Sequence, residues 1–158
     1  MRIDILTLFP AICRAPLGAS ILKRAQISGA LDLRIHNLRD WTTDKHHIVD
    51  DAPFGGGQGM VMKPEPIFAA VDSLRTDEST VVLMTPQGRK FTQSAAAEFS
   101  QREHLIVICG HYEGIDHRVT DHLIDPEISI GDYVLTNDAI TATVFVSGAA
   151  RRVPVCVG

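Results

Sequence analysis

Apolar and polar residues recur along this chain in two periods, one suited to strands and one to helices. "RIDILTLF" reads as a strand that stops at Pro10. In "LGASILKRAQISG", Leu17, Ile21, Leu22 and Ala25 fall at helical spacing, and Gly29 is placed to end the helix. "LDLRIHNL" alternates Leu31, Leu33 and Ile35 with Asp32, Arg34 and His36, the pattern of a half-buried strand. "PEPIFAAVDSLR" predicts a helix opening on prolines, with Ile67, Ala70, Val71 and Leu74 on one face. "TVVLMTP" and "HLIVICG" are short, continuously apolar strands, and between them "FTQSAAAEFSQR" predicts a helix capped by Thr92. "GIDHRVTDHLI" carries Ile115, Val119 and Leu123 on one helical face, so a helix is expected from about Ile115. "EISIGDYVL" is strand-like, and "DAITATVFVSGAARRV" is helical. Strands alternating with helices, several of them apolar on both faces, predict an α/β fold: a parallel sheet with helices on both faces.

One segment fits neither period. "RDWTTDKHHIVDDAPFGGGQGM" is too long for an idle connection, and such loops are usually functional or mobile. Gly55, Gly57 and Gly59 match the spacing of dinucleotide-binding loops. Yet no convincing strand precedes them, "MVMKPEP" follows in place of a helix, and no apolar strand ends in an acid some 20 residues on. A Rossmann site is therefore rejected, and the glycines read as a loop that passes close to a substrate or partner.

The 158 residues suit one domain, which at this size buries roughly 70% of its unfolded surface and needs no disulfide or structural metal. Cys13, Cys109 and Cys156 are widely spaced and form no Cys-x-x-Cys pair, so reduced thiols in a cytoplasm are expected. "MRIDILTLFP" does not read as a signal peptide, and no apolar run approaches the roughly 20 residues of a membrane span. A net charge of −4 gives no global attraction to nucleic acid, so an RNA partner must be held by local basic clusters. The candidates are Lys23-Arg24, Lys45-His46-His47, Arg89-Lys90 and Arg151-Arg152, each of which on its own reads as a solvated surface.

Ligands of open parallel sheets bind beyond the carboxyl ends of the strands. Three such ends stand out: "VVLMTPQG", "LIVICGHYEG" and "ISIGDYVLT", each passing from an apolar strand into a Gly-bearing turn. The polar cluster His111, Glu113, Asp116 and His117 is open to three readings. A metal site lacks ligand spacing such as His-x-x-x-His. An acid–base site would rest on Glu113 alone. A backbone cradle fits best, because Gly110 and Gly114 permit close approach and a following helix offers free N–H groups.

"VDDAPFGGGQGMVM", "TPQGRKFTQ", "CGHYEGIDHRV" and "SIGDYVLT", in this order and after the opening "IDILTLFP", resemble the bacterial tRNA (guanine-N1-)-methyltransferases of the SPOUT class over essentially the whole chain. The resemblance implies a trefoil knot in the C-terminal half, a homodimer, and S-adenosylmethionine bound in the knot. The family's cofactor loops map onto Leu83, Met84, Thr85 and Pro86, onto Gly110, His111, Tyr112, Glu113 and Gly114, and onto Ile130, Gly131, Asp132, Tyr133, Val134 and Leu135. The implied reaction is methylation of guanine N1 on the 3′ side of a tRNA anticodon in the cytoplasm, with no membrane or DNA partner. That nitrogen must lose a proton while charge grows on O6, work for a carboxylate and an arginine. The family's arginine aligns with Arg151, and Glu113 matches a glutamate near the reaction centre. Magnesium is implied without ligands that map here. The family's basic aspartate and its helical tRNA-binding domain lie beyond the segment that ends at Gly158, so residues 1–158 are expected to be the N-terminal SPOUT domain, weakly active or inactive alone.

The chain departs from the family in places. Asn137-Asp138-Ala139-Ile140-Thr141 replaces Gly-Gly-Glu-Leu-Pro, which narrows the pocket and sets a carboxylate where it would repel or re-orient a ligand. His111 and His117 replace an arginine and a glutamate and read as surface changes. Two alternatives follow from these departures: a non-catalytic SPOUT dimer that binds RNA, or a SPOUT methyltransferase for another RNA.

Overall fold

The computed structural model describes residues 1–53, 55–111 and 114–153. In chain order its strands are β1 (Arg2–Thr7), β2 (Asp32–Asn37), β3 (Asp50–Asp51), β4 (Val61–Met62), β5 (Ser79–Lys90), β6 (His104–Cys109) and β7 (Glu127–Ser129). The helices are α1 (Pro10–Leu17), α2 (Ser20–Ser28), α3 (Pro64–Leu74), α4 (Gln93–Ser100), α5 (His117–His122) and α6 (Asp138–Arg151). Five strands form one parallel sheet in the order β2-β1-β6-β5-β7, while β3 and β4 make a separate antiparallel pair.

The continuous apolar runs are explained by burial on both faces. All six residues of β6 are buried, and the strand's period of two sends them alternately to opposite cores. Leu105, Val107 and Cys109 join Ile3, Ile5, Val82 and Met84 under α1, α4 and α6, where Phe99 and Phe145 meet edge to face at 5.1 Å. Ile106 and Ile108 join Leu6, Val81 and Leu83 beneath α3 and α5, packed by Ile67, Ala70, Val71 and Val119. The expected parallel sheet with helices on both faces is therefore present. Sequence punctuation holds too: Thr92 accepts the Ala95 N–H at 3.1 Å to cap α4, and Gly29 closes α2 in the left-handed region.

Three elements differ from expectation. Pro10 ends β1, but it also opens a helix, because a proline at the first helical position loses no hydrogen bond. Cys13 and Leu17 bury one face of this α1, and Gly18 separates it from α2, whereas the pattern had suggested one helix from Leu17. The strand expected over 127–135 ends at Ser129, since Ser129 Oγ folds back to accept the Gly131 N–H at 3.1 Å and turns the chain. Helix α5 starts at His117, not Ile115: Ile115 is drawn into a bridge with Met62, and Asp116 accepts the Arg118 N–H at 2.9 Å as the cap.

Strand β5 is interrupted in its pairing with β7. Leu83 and Met84 pair with Glu127 and Ile128, and then Arg89 and Lys90 pair with Ile128 and Ser129, so residues 85–88 bulge out of the ladder. The bulge closes at Gly88, where an added Cβ would lie 2.5 Å from the Glu127 carbonyl carbon and the Ile128 nitrogen. Because those atoms are backbone and cannot swing away, Gly88→Ala is expected to destabilise by about 1–3 kcal/mol. A denaturation midpoint equal to that of the wild type would contradict this.

Candidate functional site

The carboxyl ends of β5, β6 and β7 are neighbours in the sheet, and a cleft of about 210 Å³, mouth included, opens beside them. Of the residues expected at a cofactor, Thr85 and Pro86 from the β5 bulge and Ile130, Gly131, Tyr133 and Leu135 from the turn after β7 line it. Residues nearly 50 positions apart in sequence thus share one wall. Gly110, at the end of β6, reaches the cleft through Asp138: a Cβ there would stand 2.9 Å from Asp138 Oδ2. A larger residue at this position would push the Asp138 carboxylate aside.

Other expected residues lie elsewhere. Leu83 and Met84 are buried below the cleft, one in each core. Asp132 is exposed and pairs with Lys90 at 2.7 Å, and Val134 points into solvent with 82% exposure. His111 packs its ring against Phe9, centroids 5.0 Å apart. Gly114 anchors the loop to the stem of the glycine-rich segment, its carbonyl accepting the Met62 N–H at 3.0 Å. Tyr112 and Glu113 lie outside the described residues, as does Cys156. Arg151 is exposed at the end of α6. Ser129 and Thr141 line the cleft without having been expected there. Their signal is only their spacing around the "GDYVLT" turn, Ser129 just before it and Thr141 in the first turn of the next helix.

The free helix N-terminus expected after Gly114 is not available to a ligand. The Asp116 carboxylate takes the Arg118 N–H, and its pairing with the Arg118 guanidinium at 2.8 Å is the chief reason its pKa falls to about 2. Such an acid is also a poor general base near neutral pH. The thiols of Cys13 and Cys109 are both raised by burial, which leaves them neutral and inert. Asp138 moves the other way from Asp116: burial pushes its pKa up to about 6 against a lowering hydrogen bond with Thr141. Among the described residues no group of three His, Cys, Asp or Glu side chains is placed to hold a metal ion.

The glycine-rich loop sits between β3 and β4, with Asp50 opposite Met62 and Asp51 opposite Val61. An antiparallel pair of this kind is no dinucleotide-binding unit, in keeping with the rejected Rossmann site. Of the basic clusters, Arg89 faces Glu98 at 3.3 Å and Lys90 is paired with Asp132, so both are partly neutralised. Lys23-Arg24, Lys45-His46-His47 and Arg151-Arg152 remain exposed.

Comparison with known proteins decides the family. A family model described as tRNA (Guanine-1)-methyltransferase TrmD matches residues 1–158. The chain belongs to this family. It is 54% identical over 158 residues to a tRNA (guanine-N(1)-)-methyltransferase of Carboxydothermus hydrogenoformans, covering all of this chain and 62% of that protein. It is 55% identical over 157 residues to the corresponding protein of Chloroflexus aggregans, covering 98% of this chain and 62% of that one. A Bacillus cereus protein of the same name is 52% identical over 161 residues, with 100% of this chain and 66% of the relative covered. The chain thus spans just under two thirds of the length of these relatives. No helix among the described residues is long and apolar enough to cross a membrane.

Proposed function

We propose that this chain is the cofactor-binding domain of a cytoplasmic enzyme that transfers a methyl group to N1 of the guanine 3′ to a tRNA anticodon, and that it works as a homodimer. The observation that carries the reading is the cleft lined by the β5 bulge and the turn after β7, with Asp138 of its wall set close to Gly110 at the end of β6. Its apolar walls and turn backbone suit a flat base and its sugar. S-adenosylmethionine, when bound, supplies the methyl group. The enclosed part of the cleft is only about 10 Å³, room for a water and not for a nucleoside, so a ligand has to open it. Tyr133, about half exposed and packed over Gly131, is the side chain whose swing enlarges it. The knot belongs to the same proposal.

The dimer is supported by an exposed apolar strip. Phe9 and Ile12, at and in α1, and Ile140 and Val144 on the adjoining α6 are all more than a third exposed. Arg151 is assigned to the growing charge on O6, and the proton of N1 to the carboxylate that the family resemblance places beyond Gly158. The tRNA is assigned to Lys23-Arg24, Lys45-His46-His47 and Arg152. Their contacts are to phosphates, so binding is expected to weaken steeply with added salt.

Calorimetric titration with S-adenosylhomocysteine is the direct test. Saturable heat with a thermal upshift is expected, and absence of both would remove the cofactor assignment. One observation favours a second reading: the Asp138 carboxylate stands in the cleft, as an obstacle would in a non-catalytic RNA-binding dimer. In that case RNA would bind while the adenosyl ligand gave no heat.

A further inference from the structure

Asp138 is the one acid among the described residues that line the cleft. It occupies the first turn of α6 but does not cap it, because Asn137 Oδ1 already takes the Ala139 N–H at 2.7 Å. The residue lines the cleft, and its Oδ2 lies 2.9 Å from where a Gly110 Cβ would be. Freed from capping and half-buried beside apolar walls, the carboxylate keeps a hydrogen bond from Thr141 but loses much of its water shell, and burial prevails to raise its pKa to about 6. A ligand with two adjacent hydroxyls would supply them, and carboxylates that read ribose hydroxyls beside a parallel sheet are a recurrent solution.

We propose that Asp138 is the specificity-determining residue of this cleft, its carboxylate accepting hydrogen bonds from the vicinal hydroxyls of the ligand's ribose. The inference rests on the adenosyl reading above. It differs from it in assigning selectivity to a side chain rather than to turn backbone.

The groups around Asp138 leave it as the titrating centre. From β6 it is faced by the Cys109 thiol, and from α1 the Cys13 thiol approaches the neighbouring Ala139 carbonyl at 3.6 Å. Burial raises both, so neither ionises between about pH 5 and 8. From its own helix Thr141 hydrogen-bonds it, from the turn Tyr133 lines the same cleft, and Asp132 is held by Lys90. His111 follows Gly110 but packs on Phe9. The sign follows: donors from the ligand favour the ionised carboxylate, so binding is strong above the pKa of about 6 and falls below it. With about one tenth of the carboxylate ionised at pH 5, affinity is expected to drop roughly tenfold between about pH 7.5 and pH 5.

The experiment is calorimetry on the full chain at both pH values, with S-adenosylhomocysteine and its 2′-deoxy counterpart. The wild type should show the tenfold loss at low pH and a several-fold preference for the ribose. Asp138→Asn, nearly isosteric, should bind more weakly at pH 7.5, lose the pH dependence and lose most of the preference. Asp138→Gly should do the same. If Asp138→Gly binds as tightly as the wild type or more tightly, with the ribose preference intact, the carboxylate is an obstacle and the inference fails while the adenosyl reading stands. If neither the wild type nor either variant gives heat at any pH, both fail together.

Discussion

Asp4→Ala is expected to destabilise the fold by about 3–5 kcal/mol, the range found when one partner of a buried charged network is removed. Asp4 is fully buried in β1, and three cations or potential cations surround it. His104 Nε2 lies 2.6 Å from Oδ2, His36 Nε2 2.7 Å from Oδ1, and Arg2 Nε 2.9 Å from Oδ2. The network continues: His104 Nδ1 lies 2.6 Å from Ser79 Oγ, which accepts the Thr76 N–H at 2.7 Å. With Nε2–H donating to Asp4, Nδ1 is left to accept the Ser79 hydroxyl. One carboxylate thereby ties β1 to β2, β6 and the start of β5 at the end of the sheet away from the cleft. Alanine leaves Arg2 and both imidazoles without their acceptor. Burial alone would raise the Asp4 pKa, but the hydrogen bonds from His36, His104 and Arg2 prevail and lower it from 3.8 to about 2. A folded pKa below the unfolded one means stability that is present above pH 3.8 and lost as pH falls through about 2. Urea denaturation of both proteins measures the difference, and a loss under about 1 kcal/mol would show the network to be idle.

Nothing in "RIDILTLF" marks Asp4 as a hub; in sequence it is one acid in an apolar run, and its two histidine partners sit 32 and 100 positions away. Legibility along this chain follows the same divide. What depends on local period was readable. Burial on both faces makes β6 continuously apolar, and Thr92 and Gly29 mark helix ends by the chemistry of their own backbone neighbours. What depends on a distant segment was not. The 85–88 bulge exists because β7 re-registers on β5, and Ile115 leaves α5 because Met62 claims it. Likewise Pro10 reads as a stop when only the strand before it is considered, although it also starts α1.

The candidate site shows both sides of this. Three strand ends in a parallel sheet point to one region on general grounds. Their side chains then divide in ways no spacing foretells. Tyr133 lines the cleft while its neighbour Val134 is 82% exposed, and Asp116 serves as a helix cap rather than as a polar group for a ligand.

If Arg151 serves the growing charge on O6 as proposed, Arg151→Ala is expected to lower kcat for tRNA methylation by about 10²–10³-fold, the usual effect of removing one group that stabilises a developing oxyanion. Binding of S-adenosylhomocysteine should be unchanged, because Arg151 takes no part in the cleft. The two ends of α6 explain why. Asp138 opens the helix in the cleft and Arg151 closes it, 13 residues on, or about 20 Å at 1.5 Å per residue. That span places the guanidinium of one copy away from its own cleft and, in a twofold dimer, free to serve the cleft of the other. Coexpression tests the arrangement. Arg151→Ala keeps an intact cleft, whereas Gly110→Val fills it against Asp138 Oδ2 and keeps the arginine. If the arginine acts across the dimer, random pairing of the two inactive variants restores about one quarter of wild-type turnover, one good site in half of the dimers. If it acts within its own copy, every mixed dimer has both sites broken and the mixture stays inactive.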